Sequence, residues 1–313
     1  MTDGMDTRGQ TTRQGAPVTH AIPAGWTGGA LSGPITAMKM LVTGAAGRLG
    51  RAVSVAARER GDEVVGIDRF GADRAVDVLD AGQLLGVAAG CDALVHCAAI
   101  PSPEAHAAMT VMRTNTLGTF NVLQAADLAG IRRIVIASSL SVLGGVWAPI
   151  AHPPRYAPVD EEHPLEVEDP YGLSKVINER TAAMFARRSG ATIAALRFGW
   201  ILSRDEARSE AERFAGDPDR NRTALWGYID ERDAASAALA AIDAPPFGYA
   251  AMNIIGHDTL ATIPTAKALK RFAPEVEIRA EIDEYDSAFS TERAYRLMGW
   301  APVHSWRDAD DMF

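Results

Sequence analysis

Short apolar runs alternate with longer amphipathic stretches along most of the chain. The apolar runs predict β-strands at 39–43, 63–67, 93–97, 133–138 and 192–198. Apolar positions at helical spacing predict α-helices over 48–60, 104–130 and 170–189. Because strands that alternate with helices are joined by right-handed crossovers, we expect an α/β fold with a doubly wound, mostly parallel sheet.

The alternation is absent from the first 37 residues and weakens after residue 199. Residues 1–37 are rich in Gly, Thr, Ala and Pro without a sustained period, which predicts a disordered tail and makes Met38 a candidate native start. After residue 199 the pattern loosens into a charged loop, followed by a helix at 230–244, a strand at 251–255 and a helix at 291–298. We expect a main domain over 38–199 and a smaller cap portion over 200–313, interleaved with it and not folding independently.

Composition narrows the class of protein. With 313 residues, of which 47% are hydrophobic and 23% charged, the chain can form one large core with a small appendage. A net charge of −9 disfavours nucleic acid and anionic membranes as partners, and no apolar run is long enough to predict a membrane span. The two cysteines, Cys91 and Cys97, are too few for a disulfide framework, which favours the cytoplasm.

Three glycines, Gly44, Gly47 and Gly50, stand at every third position between the first strand and the first helix. Such a turn brings the backbone close to a pyrophosphate, although this spacing also suits tight packing alone. The second strand ends at Asp68, at the separation where an acid binds the adenosine ribose hydroxyls. Because that acid repels a 2′-phosphate, NAD is favoured over NADP; Arg69 directly after it works in the opposite direction.

Other polar or small residues also follow predicted strands. In a parallel sheet the carboxyl ends of the strands meet at one edge, where ligands bind. At this edge we expect Gly44, Asp68, 97–100, Ser138-Ser139 and Phe198-Gly199. The main domain is therefore predicted to be an NAD-binding Rossmann domain.

A tyrosine and a lysine lie one helical turn apart in the helix predicted at 170–189. Asp169 and Pro170 suit the N-cap and the first helical position, so Tyr171 and Lys175 project from the same helix face. An adjacent ammonium lowers the pKa of a phenol, which then serves as a general base or acid. This spacing also occurs by chance, but Ser139 at the preceding strand end can hold the reacting oxygen.

Together these motifs resemble the extended short-chain dehydrogenases/reductases, in the NAD-dependent epimerase/dehydratase group. The resemblance spans Met38 to Arg307 and implies Ser139, Tyr171 and Lys175 as catalytic residues. It implies that NAD is contacted by Gly44, Gly47, Arg48, Leu49, Gly50, Asp68, Asp77, Val78, Cys97, Ala98, Ala99, Asn115, Tyr171, Lys175 and Phe198. Asn115 would hold the central helix and a proton-relay water, or be purely structural. The resemblance also implies a homodimer formed through the helices at 104–130 and 170–189.

Departures from the family pattern narrow the chemistry. The chain has Leu140-Ser141 after Ser139, where sugar-nucleotide dehydratases carry an Asp-Glu pair, and it lacks the Gly-Pro turn of nucleotide-sugar epimerases after Arg197. It therefore looks more like the uronate and aldose dehydrogenases, which oxidise the anomeric hydroxyl of a free sugar to a lactone. In that case the cap portion takes part in substrate binding. The expected substrate residues are Ser102, Ser139, Leu140, Trp200 and Arg208. Arg208 would bind a substrate carboxylate, and Arg204 is the second candidate for that role.

The main hypothesis is an NAD-dependent dehydrogenase acting on a small sugar or sugar acid. The first alternative is an epimerase, which would use the same triad and return the hydride to the other face. The second is a non-catalytic dinucleotide sensor, which would not need an intact Ser-Tyr-Lys triad.

We expect no metal site, because the histidines at 152, 163 and 257 lie scattered, and we interpret His96 as structural.

Overall fold

The computed structural model describes residues 37–308. The strands are β1 (Lys39–Thr43), β2 (Glu63–Asp68), β3 (Arg74–Ala75), β4 (Ala93–His96), β5 (Arg133–Ser139), β6 (Tyr156–Ala157), β7 (Thr192–Phe198), β8 (Trp200–Leu202), β9 (Tyr228–Asp230), β10 (Tyr249–Ile254) and β11 (Glu277–Ile278). The α-helices are α1 (Arg48–Glu59), α2 (Ala81–Ala88), α3 (Ala108–Met112), α4 (Gly118–Ala129), α5 (Pro170–Ser189), α6 (Arg204–Phe214), α7 (Glu231–Asp243), α8 (Thr265–Phe272) and α9 (Glu292–Met298). None of these helices is long and apolar enough to cross a membrane.

The central sheet has seven strands in the order β10-β7-β5-β4-β1-β2-β3. Every neighbouring pair in it is parallel. In this order β2 and β3 lie on one side of β1. The next strand along the chain, β4, lies on the opposite side of β1 and begins the other half of the sheet. This reversal creates a crevice beyond the carboxyl ends of β1 and β4. The predicted doubly wound parallel sheet is confirmed.

Helices cover both faces of the sheet. On one face Leu84 of α2, Leu123 of α4 and Phe185 of α5 belong to a single apolar cluster with the strands. On the other face Val53 of α1 and Leu239 of α7 pack in a second cluster. Because both faces are buried, the strands are apolar at nearly every position rather than alternating, as the sequence showed.

The helix predicted over 104–130 is wrong in detail. It begins only at Ala108 and is interrupted by a π-helical turn over Arg113–Leu117, before continuing as α4 to the left-handed C-cap at Gly130. The π turn contains Asn115, whose buried amide hydrogen-bonds outside the helix. Wider turns of this kind arise where side-chain contacts outweigh regular helical pairing.

The C-terminal portion has its own apolar cluster. Trp226, Leu260 and Phe289 pack there against Val142 and Val159 from the preceding part of the chain. The charged loop predicted after residue 199 is wrong, because Arg204–Phe214 forms α6. The proposed boundary at 199 stays a prediction, and all but Ala37 of the predicted tail lies outside the described residues.

The start of α6 carries a capping box that the sequence also displays. The hydroxyl of Ser203 accepts a hydrogen bond from the Glu206 backbone N–H, and the Glu206 carboxylate accepts one from the Ser203 N–H. This Ser-x-x-Glu pattern is a recognised signal for a helix start. The high charge density of this stretch is equally typical of a loop, which is why the capping signal was outweighed.

Candidate active site

The glycine turn between β1 and α1 requires glycine for steric reasons. Gly44 has φ of +69°, and a Cβ there would lie 2.6 Å from the Ala98 backbone N. A Cβ on Gly50 would lie 2.2 Å from the Gly44 carbonyl oxygen. Any side chain would therefore push the segment after β4, or α1, away from the turn. The close approach leaves the N-terminus of α1 open toward the crevice, which suits a pyrophosphate.

A cleft of about 680 Å³ lies at this crevice. The predicted cofactor residues that line it are Gly44, Gly47, Asp68, Asp77, Val78, Cys97, Ala98 and Ala99. The cleft has further lining residues that were not predicted to contact the cofactor: Arg69, Val76, Leu79, Ile100 and Thr114. Each of these lies within two residues of a predicted cofactor residue. Closeness in the sequence to those residues is therefore the signal by which they could have been found.

The Asp68 carboxylate is anchored at the edge of this cleft. It accepts hydrogen bonds from the backbone N–H groups of Ala46 at 3.3 Å and Arg69 at 2.7 Å. A carboxylate held here can accept from ribose hydroxyls and repels a 2′-phosphate. The glycine turn and this anchored acid therefore fit NAD.

Other predicted cofactor residues lie outside the lining of the cleft. Leu49 and Phe198 pack into the apolar cluster shared by α1 and α7, with exposures of 9% and 5%. The Arg48 guanidinium turns to Glu206 of α6, with nitrogen-to-oxygen distances of 2.5 and 2.7 Å, and to Glu231 at 3.7 Å. Contact between these residues and the cofactor stays a prediction.

Tyr171 and Lys175 are positioned by the capped start of α5. The Asp169 carboxylate accepts from the backbone N–H groups of Tyr171 and Gly172, both at 2.8 Å. The Lys175 ammonium lies 5.5 Å from the centre of the Tyr171 ring and donates to the Ala137 carbonyl oxygen at 2.7 Å. Both side chains are buried, and α5 has the predicted bounds.

The two serines at the end of β5 have different environments. The Ser138 hydroxyl is buried and donates to the Glu179 carboxylate at 2.7 Å. The Ser139 side chain accepts from the Ser141 N–H at 3.1 Å and lies close enough to Tyr171 to affect its ionisation. Ser139 is therefore the hydroxyl that shares a site with Tyr171, as predicted, whereas Ser138 is part of the core.

Burial controls the ionisation of Tyr171 and Lys175. It raises the pKa of Tyr171 to about 12, a rise that the hydrogen bond with Ser139 opposes and the charge of Asp169 reinforces. Burial also lowers the pKa of Lys175 to about 8, against the charges of Cys97 and Glu179. The expected lowering of the tyrosine pKa by the lysine is therefore wrong for this structure, because desolvation of the phenolate outweighs it.

His96 and Asn115 are buried next to the cleft. The His96 ring nitrogens lie 2.6 Å from the Thr43 hydroxyl and 2.9 Å from the Thr119 hydroxyl, and burial lowers its pKa to about 3. The Asn115 amide bonds both backbone groups of Ile100 and the Ser174 hydroxyl. Its amide thus ties the cleft wall to α5, and the structural interpretation of His96 agrees with its environment.

The predicted substrate residues lie in four separate places. Ser102 belongs to the loop after the cleft wall, and Leu140 is buried just beyond Ser139. Trp200 is 42% exposed at the start of β8, so it is not a core residue. Arg208 is half-buried on α6. No group of His, Cys, Asp or Glu in residues 37–308 is arranged to hold a metal ion.

Comparison with known proteins identifies the family. The model of the NAD dependent epimerase/dehydratase family matches residues 40–254. The chain is 38% identical over 184 residues to an L-arabinose 1-dehydrogenase (NAD(P)(+)) of Haloferax volcanii, covering 56% of this chain and 71% of that protein. It is 30% identical over 173 residues to a uronate dehydrogenase of Agrobacterium fabrum, covering 51% of this chain and 60% of that protein.

A solved structure has the same fold. It is a short-chain dehydrogenase/reductase superfamily protein from Agrobacterium tumefaciens with bound NAD, with a TM-score of 0.66 and 24% identity over 86% of this chain and 93% of that one. The segment matched by the family model runs from β1 to the end of β10 and includes the glycine turn, the cleft and the Ser139, Tyr171 and Lys175 group. This chain belongs to the NAD dependent epimerase/dehydratase family and is an oxidoreductase-type enzyme that uses NAD.

Proposed function

We propose that this enzyme oxidises a hydroxyl group of a free sugar or sugar acid. The observation that carries the proposal is that Ser139 lies with the buried side chains of Tyr171 and Lys175 beside the cofactor cleft. The names of the similar arabinose and uronate dehydrogenases support a dehydrogenase of this substrate class.

The catalytic side chains divide the reaction between them. Ser139 holds the hydroxyl oxygen of the substrate, and Tyr171 accepts its proton as general base. Lys175 carries the neighbouring positive charge that favours the phenolate as it forms, and its bond to the Ala137 carbonyl fixes its position. When bound, NAD supplies the hydride acceptor.

We propose that Arg208 on α6 binds the carboxylate of an acidic substrate, with Arg204 as the second candidate. Glu206, two residues earlier on the same helix, pairs with Arg48 of the glycine turn, so α6 is tethered to the cofactor-binding turn. This Arg48 hydrogen bond holds the pKa of Glu206 at about 2, so the pair is charged at neutral pH. The guanidinium of an arginine on α6 would form a bidentate hydrogen-bonded pair with a uronate carboxylate.

The first experiment measures NADH absorbance with purified protein, NAD and separate panels of free uronates, neutral aldoses and simple secondary alcohols. We expect steady NADH accumulation with one sugar class. Tyr171→Phe should abolish turnover and leave the Kd for NAD within about twofold, because it removes one oxygen and keeps the ring. Interconversion of sugar epimers without net NADH would establish the epimerase alternative instead.

We further propose that two copies of the chain associate through α4 and α5 and act in the cytoplasm. Phe120 and Leu128 of α4 and Leu173 of α5 are exposed apolar residues, by 41%, 63% and 41% respectively. Apolar surface of this kind favours association. The free thiols of Cys91 and Cys97 fit a reducing compartment.

A further inference from the structure

A second cleft lies between α5, the edge strand β10, α9 and the segment 161–165. Its volume is about 1290 Å³, it opens to solvent, and it shares no lining residue with the cofactor cleft. Part of its wall is apolar, formed by Phe247, Leu297 and Leu165. It therefore combines space with a surface that can cover the carbon part of a ligand.

Arg197 lines this cleft and has an unused hydrogen-bond donor. The side chain is 4% exposed, and two of its nitrogens, Nε and Nη2, donate to the Glu179 carboxylate at 2.9 and 2.8 Å. The third nitrogen, Nη1, is buried and has no partner among residues 37–308. Because a buried donor without an acceptor is costly, this nitrogen calls for an acceptor that enters the cleft.

The charges around Arg197 favour an anionic acceptor. Arg180 and Arg296 also line the cleft, are exposed, and form no salt bridge with another described residue. The carboxylates of Glu161 and Glu162 are both paired with Arg293. With Glu179 held by Arg197, every acid that lines the cleft has an arginine partner, and the four arginines of the lining outnumber its three glutamates.

We propose that this cleft binds a small organic oxyanion, a carboxylate or a phosphate ester, through Arg197 Nη1, Arg180 and Arg296. Guanidinium groups match the paired oxygens of both headgroups, and the apolar wall accommodates the attached carbon skeleton. The Glu179 carboxylate that holds Arg197 also accepts from Ser138, directly before Ser139. The ligand therefore contacts a hydrogen-bonded chain that ends at the catalytic strand end.

The test uses isothermal titration calorimetry on the full chain saturated with NAD. Phenyl phosphate and benzoate are titrated separately, with phenol as the neutral control, because all three share a ring and differ in headgroup. We expect at least one anion to bind and phenol to bind at least about tenfold more weakly. Binding of only one anion assigns the site to phosphate esters or to carboxylates.

Two variants, with a third as control, test whether the anion binds in this cleft. The double variant Arg180→Gln, Arg296→Gln should weaken anion binding by about tenfold or more, whereas Arg271→Gln, an exposed arginine on α8, should leave it unchanged. Arg197→Lys keeps a charge for Glu179 but removes Nη1, and should also weaken binding; circular dichroism verifies that each variant is folded. No binding of either anion, or equal affinity in the double variant and the wild type, overturns the proposal.

Discussion

At the scale of single residues, desolvation sets the charge of the catalytic side chains. The pKa of Tyr171 rises to about 12 and that of Lys175 falls to about 8, in both cases mainly through burial. At neutral pH the tyrosine is therefore a phenol and most of the lysine is an ammonium. The tyrosine can act as a base only through the small phenolate fraction that exists next to that ammonium.

Oxidation should therefore accelerate toward alkaline pH. Below its pKa of about 12, the phenolate fraction of Tyr171 grows about tenfold per pH unit, so kcat/KM should rise by up to that factor per unit between about pH 6 and 8. The measurement is the pH profile of kcat/KM for NAD-dependent oxidation of the substrate found in the panel.

Ser139→Ala provides the matched comparison for this profile. Loss of one hydroxyl donor should lower kcat/KM by about 10²–10³ while the slope with pH remains, because Ser139 does not accept the proton. A rate in the wild type that does not change with pH over this range would contradict Tyr171 as the base.

At the scale of elements, the cap of α5 joins helix stability to the position of the catalytic tyrosine. Asp169 accepts from two backbone N–H groups in the first turn, one of which belongs to Tyr171 itself. Pro170 occupies the first helical position, and the helix ends at the left-handed Gly190. The orientation of Tyr171 therefore depends on the same hydrogen bonds that start the helix.

Asp169→Ala should lower both stability and activity. Loss of an N-cap costs about 1 kcal/mol of unfolding free energy, and a frayed first turn lets Tyr171 move, which reduces kcat. Asp169→Asn keeps a side-chain oxygen as acceptor and should retain most of the stability. Urea unfolding and kcat of the two variants check this expectation; equal kcat in Asp169→Ala and the wild type would show that the cap does not position the tyrosine.

At the scale of the whole molecule, stability depends on polar groups buried inside the sheet. His96 at the end of β4 lies 4% exposed between two hydroxyl groups, and its pKa is about 3 instead of the usual 6.5. Below about pH 6.5 the unfolded chain binds a proton at this histidine that the folded protein excludes. Folding stability therefore rises with pH through this window and falls on acidification.

The fold should lose stability as the pH drops from about 6.5 toward 3. At about 1.4 kcal/mol per pKa unit, the loss of unfolding free energy caused by His96 reaches about 3 kcal/mol by about pH 4.5. Thermal unfolding followed by circular dichroism at several pH values should show a shallower acid slope for His96→Gln. His106→Gln, at an exposed position, should keep the wild-type slope, and identical slopes in all three proteins would refute the role of His96.

Much of the fold and part of the site could be predicted from local signals. Six of the seven strands of the sheet (all except β3), the bounds of α5 and the C-cap at Gly130 follow from apolar runs and capping residues that lie within a few positions of one another. The glycine turn and Asp68 could be assigned to the crevice because parallel topology brings the strand ends together. These features depend on periodicity, backbone sterics and connection rules, all of which a sequence displays directly.

Contacts between distant parts of the chain decided the remaining features. The π turn at Asn115 depends on bonds to Ile100 and Ser174, and the direction of Arg48 depends on Glu206, which is 158 residues away. The pKa of Tyr171 and the unpartnered nitrogen of Arg197 depend on how completely neighbouring elements exclude water. The sequence by itself thus determined the sheet, the family motifs and the catalytic residue types, whereas tertiary packing decided their charge states and partners, because desolvation arises only when distant segments close over a side chain.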